Sequence, residues 1–254
     1  MLFSIIVPTR NRPASLDRCL QALSKLTFPL DQFEVLVIDD GGTSVEPVIG
    51  RHAAALPVRL LTQPRRGPAV ARNFGLRESA WGGAIEPAPE NGICGNTSQL
   101  LITFLYNPNH ARAPFYCTNN IAFPRRELQA LGGFDETFPL AAAEDRDLCD
   151  RWSGRAALRY EPRAIVVHLQ MLTFAGFWRQ HYRYGRGAFH FHHRRRQRGM
   201  AGLRVAPFRF YSQMLMSPWS AHPPATAAAL CALLLLSQVA TAAGFLFERS
   251  RPRS

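Results

Sequence analysis

Short β-branched runs that alternate with stretches of helical spacing constrain this chain's fold more than any other feature. The segments LFSIIVPT (2–9), FEVLVIDD (33–40) and VRLLTQ (58–63) are typical of buried strands. Leucines at helical spacing in 13–26, and a glycine-led stretch at 67–80, predict helices between and after them. Strands that alternate with helices predict a parallel α/β sheet with right-handed crossovers. Ligands of such sheets bind at the carboxyl ends of the strands.

The middle of the chain is less regular. TNNIAF (118–123) and AIVVH (164–168) predict short strands. PRRELQALGGF (124–134) predicts a short helix that ends at its glycine pair. AAAEDRDLCDRW (141–152) predicts the start of a helix with acidic residues in its first turn, where the helix dipole favours them.

The C-terminal region has a different composition. The 23 residues from Ala225 to Phe247 carry no charge, and this length can cross a bilayer core of roughly 30 Å as a helix. A buried core helix or an interfacial hairpin is the alternative, because Ser237 and Gln238 are among the polar residues that dilute the segment. Arginines flank it on both sides, so the positive-inside rule sets no orientation.

The chain is strongly basic, with a net charge of +12 carried almost entirely by arginine. Between Glu161 and Glu248 there are ten arginines and no acidic residue, which predicts either a surface facing anionic lipid or phosphate or a solvated basic loop. The five cysteines form no C-x-x-C pair, so neither a zinc site nor a disulfide framework is expected. This cysteine usage is typical of a protein in the reducing cytoplasm. The N-terminus lacks a basic region before its apolar run, so no signal peptide is expected.

Two groups of polar residues follow predicted strands. Asp39 and Asp40 could accept hydrogen bonds from a ribose or a base, or could cap a turn. Arg65, Arg66 and Arg72 surround a glycine turn and a helix N-terminus, where guanidinium groups and backbone N–H groups suit a diphosphate.

An acidic cluster stands out in this basic chain. Its members are Glu144, Asp145, Asp147 and Asp150. One carboxylate could act as a general base toward a hydroxyl group, or the cluster could simply pair with Arg146, Arg151 and Arg155. Histidines 190, 192 and 193 fit no standard metal spacing and are interpreted as a surface cluster that contacts phosphate or lipid.

Together these segments resemble family 2 glycosyltransferases of the GT-A fold over about residues 2–190. The resemblance rests on SIIVPTRNRPASLDRCLQAL, FEVLVIDDGGTS, RRGPAVARNFGL, RQHYRYGRGA and, most specifically, TNNIAFPRRELQALGGFDETFPLAAAEDRDLCDRW. It implies a GT-A domain at 1–190, a basic and aromatic membrane-proximal segment at 191–223, and an apolar helix with a basic tail at 224–254. It also implies transfer of a sugar, usually with inversion, from a nucleotide-diphospho-sugar to a lipid-linked or polysaccharide acceptor. The catalytic domain would face the cytoplasm beside a membrane.

The resemblance also assigns residues by position. Asp145, with Glu144 beside it, would be the catalytic base, and His168 would occupy the place of a metal or diphosphate contact. The nucleotide pocket would be lined by Pro8, Thr9, Asn11, Arg12, Asp39, Asp40, Gly67, Arg72 and Asn73. The acceptor side would include Asn119, Asn120, Arg183 and Arg186.

One part of the family pattern is missing. The helix at ARNFGL should lead to a strand ending in D-x-D, whose aspartates hold Mg²⁺ or Mn²⁺, but Ser79 and Ala80 run directly into Trp81-Gly82-Gly83. Several tens of residues are absent, and the first aspartate after Asp40 is Asp135. Arginines could replace the divalent cation as charge stabilisers: Arg65, Arg66, Arg72 or those between 179 and 186.

Three functions stay open at this point. The first is a membrane-associated glycosyltransferase, and the second is a non-catalytic remnant that binds a nucleotide or a partner enzyme. The third is a basic nucleic-acid-binding protein, which is disfavoured because no recognised nucleic-acid motif accompanies the charge.

Overall fold

The computed structural model describes residues 3–75, 84–106, 115–155, 158, 164–200 and 206–251. The chain forms two compact units: unit 1 comprises Met1–Trp81 and Ile121–Ala141, and unit 2 comprises Gly82–Asn120 and Ala142–Ser254. The junction at 79–83, where the sequence places the missing strand, lies outside the described residues.

Five strands and nine α-helices make up the described part of the chain. In chain order they are β1 (Phe3–Thr9), α1 (Pro13–Leu23), β2 (Phe33–Asp39), α2 (Glu46–His52), β3 (Val58–Thr62), α3 (Pro68–Gly75), β4 (Ala84–Pro87), α4 (Ile93–Tyr106), α5 (Arg125–Ala130), α6 (Glu144–Ser153), β5 (Ile165–His168), α7 (Phe174–Gln197), α8 (Phe208–Met216) and α9 (Pro224–Ser250).

Unit 1 contains a three-stranded parallel sheet in the order β1-β2-β3. Every residue of β2 is buried because helices cover both faces of the sheet. Leu16 and Leu20 of α1 pack on one face together with α2, and Ala71 of α3 packs on the other. The register aligns Thr9, Asp39 and Thr62 across the three strands, so the carboxyl ends meet at one edge as predicted.

Unit 2 contains a second parallel pair, β4 with β5. The α/β class is therefore confirmed, but the described strands form two sheets rather than one. The change of sheet falls between β3 and β4, which is the interval in which the sequence lacks its D-x-D strand. Helix α4 was not predicted, because most of its polar residues fall in its first half and most of its apolar residues in its second, which gives little contrast between its faces.

The predicted strand at TNNIAF is wrong. A short 3₁₀ helix at Thr118–Asn120 occupies its first half, and the rest is irregular. The side chain of Asn120 donates to the carbonyl oxygen of Ala164 at 2.9 Å, and its backbone N–H donates to the carbonyl oxygen of Cys117 at 3.1 Å. Asparagine favours such local turns over a strand ladder, which overrides the β-branched and aromatic residues that follow.

Helices α7 and α9 pack closely along much of their lengths. Two glycines permit this approach: a side chain at Gly185 would collide with the backbone of Thr241, and one at Gly244 would collide with the backbone of Tyr182. Helix α9 is the one helix among the described residues that is long and apolar enough to cross a membrane, with a mean hydropathy of 2.0. Length and composition alone do not distinguish a span from a helix lying on a membrane.

Candidate functional site

Asp39 ends β2 and Asp40 follows it, and both side chains are buried at the carboxyl edge of the sheet. Their hydrogen bonds differ. Asp40 Oδ1 accepts from the side-chain amide of Gln63 at 2.7 Å and from the backbone N–H of Arg66 at 2.9 Å, while Oδ2 accepts from the N–H of Gly67 at 3.0 Å. Asp39 Oδ1 is buried and has no hydrogen-bond partner. Because an unsatisfied buried acceptor is costly, this oxygen is the better candidate for contact with a ligand hydroxyl or N–H.

The loop from Gln63 to Gly67 is shaped by Asp40. Gly67 has a φ of 94°, a conformation that glycine adopts without strain. The expectation that backbone N–H groups here meet a diphosphate is corrected for Arg66 and Gly67, whose N–H groups donate to Asp40. The exposed guanidinium groups of Arg65 and Arg66 are the cations that this loop presents to an anion.

The loops after β1 and β2 are tied together. The backbone N–H of Asp40 donates to the carbonyl oxygen of Thr9 at 3.0 Å, and the N–H of Thr43 donates to Asn11 Oδ1 at 2.9 Å. Asn11 itself has a φ of 52°, which asparagine tolerates better than most residues. The structure therefore connects Thr9, Asn11, Asp39 and Asp40. Pro8 lies half-buried in β1, and exposed Arg12 precedes α1.

Arg72 and Asn73 lie on α3 and contact the segment that follows α5. The Asn73 side-chain amide donates to the carbonyl oxygen of Phe134 at 2.9 Å and to Glu136 Oε1 at 2.8 Å, and its Oδ1 accepts from the N–H of Phe134 at 2.8 Å. The guanidinium of Arg72 lies 5.6 Å from the centroid of the Phe134 ring. These contacts give both residues a role within unit 1, and their predicted contact with a nucleotide stays a prediction.

The acidic cluster lies on α6, as the sequence predicted, with Glu144, Asp145 and Asp147 in the first turn. Asp147 is fully buried and forms ion pairs with Arg151 at 2.8 Å and Arg198 at 2.7 Å. Asp150 is also buried and lies 3.2 Å from both Arg195 and Arg198. Arg151 was among the expected partners, whereas Arg195 and Arg198 were not.

These arginine contacts correct one interpretation of the basic block. Arg195 and Arg198 belong to the block that was predicted to form either a surface facing lipid or phosphate or a solvated basic loop, but they provide counter-charges for carboxylates about fifty residues earlier in the chain. The deficit of acidic residues around the block was a usable signal, since the cluster on α6 holds the nearest dense group of carboxylates before it.

Asp145 differs from Asp147 and Asp150 in its exposure. Its side chain is half-buried rather than buried, and its Oδ1 accepts from the backbone N–H of Arg146 at 2.8 Å. Glu144 beside it is only 4% exposed. The preceding residue, Ala143, has a φ of 70°, an uncommon conformation for alanine that fixes the direction in which the chain enters α6. Asp145 is thus the carboxylate of the first turn that an acceptor molecule can reach most readily.

His168 ends β5 and lies beside a small polar group in unit 2. Its Nδ1 is 3.3 Å from Gln99 Oε1, and its carbonyl oxygen accepts from the Asn91 side chain at 3.0 Å. Neither Asn91 nor Gln99 was predicted, because Gln99 lies on α4, which the sequence analysis did not recognise, and Asn91 lies two residues before that helix. Asn119 and Asn120 lie in the 3₁₀ helix, and Asn119 is exposed.

The predicted acceptor-side arginines lie on α7. Arg183 is exposed, whereas Arg186 forms an ion pair with Glu248 of α9. His190 lies 3.1 Å from the same carboxylate. His192 is half-buried against Phe245, and burial together with nearby arginines lowers its pKa to about 4. The interpretation of these histidines as a surface cluster is therefore corrected for two of its three members.

The described residues do not fit a divalent cation site. They include no group of three His, Cys, Asp or Glu side chains that could hold a metal. Asp40 is engaged by its loop, and Asp39 offers one uncommitted oxygen, whereas protein sites for Mg²⁺ use several oxygen ligands.

Residues 4–80 match the family model described as Glycosyl transferase family 2, and this match covers β1 to α3 with the Asp39–Asp40 edge. Over these residues the chain is similar to glycosyl transferase family 2. Validoxylamine A glucosyltransferase of Streptomyces hygroscopicus subsp. jinggangensis is 40% identical over 79 residues, which are 30% of this chain and 19% of that protein. The similarity to this family is thus strongest in unit 1.

A longer similarity extends beyond the family model. Pre-mycofactocin glycosyltransferase of Mycobacterium tuberculosis is 25% identical over 209 aligned positions, which take in 65% of this chain and 42% of that protein. Since 65% of 254 residues is fewer than 209, several tens of aligned positions have no counterpart here, in agreement with the missing segment. The chain spans less than half the length of either relative.

The fold has a solved counterpart. The mannosyltransferase PcManGT from Pyrobaculum calidifontis, solved in complex with GDP-Man and Mn²⁺, superposes with a TM-score of 0.62 at 17% identity. The match covers 97% of this chain and 87% of that one. The similarity shows that the chain has the same GT-A type of fold.

Proposed function

We propose that the chain is a glycosyltransferase that moves a sugar from a nucleotide-diphosphate donor to a hydroxyl group of a lipid-linked or polysaccharide acceptor, at the cytoplasmic face of a membrane. One observation carries the proposal. The family-matched unit 1 places a buried carboxylate oxygen of Asp39, without a hydrogen-bond partner, at the carboxyl edge of a parallel sheet. Ligands of such sheets bind at this edge.

The donor side uses the residues of unit 1. Asp39 accepts a hydrogen bond from the ribose or the base of the nucleotide. Exposed Arg65 and Arg66 neutralise the diphosphate, since guanidinium groups bind phosphate oxygens in a bidentate manner. Two solved or curated relatives carry names that mention GDP-Man and glucosyl transfer, which supports a nucleotide-sugar donor as the substrate class.

The acceptor side uses the first turn of α6. Asp145 takes the proton of the acceptor hydroxyl while that oxygen attacks the anomeric carbon of the donor sugar. The bond between this carbon and the diphosphate oxygen breaks, and the nucleoside diphosphate leaves with the bonding electrons. A single displacement of this kind inverts the configuration at the anomeric carbon. General base catalysis contributes typically ~10²–10⁴-fold in rate.

The leaving diphosphate gains negative charge during this step. Cations placed where charge develops stabilise the transition state, often by several kcal/mol. Because the described residues lack a three-ligand metal site, Arg65 and Arg66 are the proposed source of this stabilisation.

A second candidate function is a non-catalytic remnant that binds a nucleotide or a partner enzyme. The same shortage of metal ligands favours it, since the donor-binding carboxylates of unit 1 are retained without an aspartate pair. The two candidates predict the same binding of a nucleoside diphosphate and differ in turnover.

The test measures release of nucleoside diphosphate from a panel of nucleotide sugars by the full chain in detergent with membrane-lipid extract as acceptor. Reactions are run with Mn²⁺, with Mg²⁺ and with EDTA, beside an Asp39→Asn variant. Turnover that persists in EDTA and falls in the variant is the expected result. Turnover that requires a divalent cation contradicts the arginine assignment. Binding without turnover in correctly folded protein overturns the transferase proposal in favour of the remnant.

A further inference from the structure

The exposed face of α9 carries no charge over most of its length. Seven residues of the helix are buried in unit 2, from Ala227 to Glu248, and they recur at helical spacing. On the opposite face, Leu235 is 52% exposed, and Val239 and Leu246 are each 58% exposed. The exposed stripe consists of Ala228, Ala232, Leu235, Val239, Ala242 and Leu246. An amphipathic helix in water shows polar residues on this side, whereas α9 exposes apolar ones.

The neighbours of α9 oppose a path through a bilayer. Its second half packs against α7: Thr241 Oγ1 donates to the carbonyl oxygen of His181 at 3.3 Å, Phe245 packs on Phe189 with ring centroids 5.5 Å apart, and Glu248 pairs with Arg186. If α9 crossed the hydrocarbon core, this part of α7 would enter it too. An arginine at the centre of a membrane helix costs roughly 2.5–3.5 kcal/mol even on the mildest scale.

Basic side chains lie at one end of the apolar stripe. Exposed Arg249 and Arg251 flank the C-terminal end of α9. Apolar side chains bordered by arginines match the charge of an anionic phospholipid surface and the apolar layer beneath it.

The N-terminal end of α9 has an exposed aromatic neighbour. Cys231 Sγ donates to the carbonyl oxygen of Leu215 at 2.9 Å, which fixes α9 to the end of α8. Close by in the chain, Trp219 is 47% exposed and Met216 is 62% exposed. Tryptophan prefers the boundary between headgroups and acyl chains.

We propose that α9 lies in the plane of the membrane, with its stripe from Ala228 to Leu246 in the acyl boundary of an anionic leaflet and with α7 on the side away from the lipid. The helix is thus a surface anchor rather than a membrane span. This inference does not depend on sugar transfer, since a folded chain without turnover would bind vesicles in the same way.

Vesicle flotation with the full chain tests the proposal. We expect binding to phosphatidylcholine vesicles that strengthens when phosphatidylglycerol is added and weakens in high salt. The double variant Leu235→Asp/Val239→Asp should lower binding at least tenfold while its melting temperature stays unchanged, because both side chains are exposed. The matched control is Leu26→Asp/Leu30→Asp in unit 1, with side chains 45% and 52% exposed, which should bind as the unaltered chain does. Equal binding by the two double variants overturns the proposal.

A second measurement distinguishes the surface anchor from a span. An extra cysteine is introduced by Ala225→Cys or by Arg249→Cys, and vesicle-bound protein is treated with a membrane-impermeant maleimide before peptide mapping. An in-plane helix gives labelling at both positions from the same side. Labelling at only one position shows a span and overturns the proposal. The chain could instead bind no vesicle and form a dimer in solution that Leu235→Asp/Val239→Asp dissociates. That result would show that the stripe contacts a second copy of the chain, and it would overturn the proposal.

Discussion

The aspartates at the end of β2 and those on α6 are the same type of residue, but their hydrogen-bond and ion-pair partners come from different parts of the chain. Asp40 is bound by Gln63, Arg66 and Gly67, which follow it by fewer than thirty residues in the next loop. Asp147 and Asp150 are bound by Arg198, which follows them by 51 and 48 residues. In each region a neighbouring carboxylate has a different setting: Asp39 Oδ1 is buried without a hydrogen-bond partner, and Asp145 is half-buried. The comparison separates carboxylates that build the site from carboxylates that could act in it.

The largest effect is expected for Asp145→Asn. The amide cannot accept the proton of the acceptor, so the transfer rate should fall by ~10²–10⁴-fold. The melting temperature should stay within a degree or two of the original, as the side chain of Asp145 is half-buried whereas that of Asp147 is fully buried. Radiolabelled sugar transfer and thermal unfolding on the same preparation check both halves. A stability loss as large as that of Asp147→Asn would place Asp145 among the structural carboxylates.

Asp147→Asn should have the opposite profile. It leaves Arg151 and Arg198 with a weaker partner at a fully buried position, so the free energy of unfolding should fall by about 3 kcal/mol, as is typical when one member of a buried pair is removed. Urea denaturation measures the change. The control is Arg155→Ala, two residues after the end of α6, and it should change stability by less than about 0.5 kcal/mol because Arg155 is exposed.

In unit 1, Asp39→Asn should change the binding of nucleoside diphosphate, whereas Asp40→Asn should change the free energy of unfolding. Asp40→Asn removes a charged acceptor from two backbone N–H groups, which should cost about 1–3 kcal/mol. Asp39→Asn should leave stability unchanged and weaken the binding of nucleoside diphosphate about tenfold, equivalent to about 1.4 kcal/mol. Calorimetric titration and thermal unfolding give the two numbers. If Asp40→Asn alone loses binding of nucleoside diphosphate and is as stable as the unaltered chain, Asp40 is the ligand-binding residue and the assignment is wrong.

The smallest effect is expected for Gln63→Ala. It removes one of the donors to Asp40 and leaves the backbone donors in place, so the loss should be about 1 kcal/mol. Gln21 of α1 offers a control, since Gln21→Ala removes a glutamine side chain at an exposed site of the same unit. Equal losses from the two variants would show that the side-chain contact to Asp40 adds nothing.

The sequence predicted the parts of the molecule that local patterns determine. Strands β1, β2 and β3 have short apolar runs, and α6 has acidic residues in its first turn. The ends of these four elements were therefore predicted to within a few residues. TNNIAF failed because the side chain of Asn120 bonds to Ala164, a partner 44 residues away that no local pattern reveals. Arg198 was not predicted as a partner of Asp147 for the same reason, since nothing near α6 distinguishes it from the other nine arginines between Glu161 and Glu248.

The candidate site was predictable as a set of residues and not as a set of roles. Asp39 and Asp40 are equivalent in the sequence, and only the hydrogen bonds of the loop from Gln63 to Gly67 distinguish them. Asn73 fits a nucleotide pocket by position, yet its amide is engaged by Phe134 and Glu136. Burial and partner choice are properties of the packed chain, which periodicity does not encode.

The ion pairs of Arg198 also bear on how the protein is made. During synthesis from the N-terminus, α6 leaves the ribosome while the cation for Asp147 is still 51 residues from being translated. Until then, packing of α6 would bury that carboxylate with Arg151 as its nearby counter-charge. A nascent chain that ends at residue 190, inside α7, therefore lacks Arg195 and Arg198 and should stay sensitive to protease around α6. Arrested chains of increasing length should become resistant there only after residue 198 has emerged.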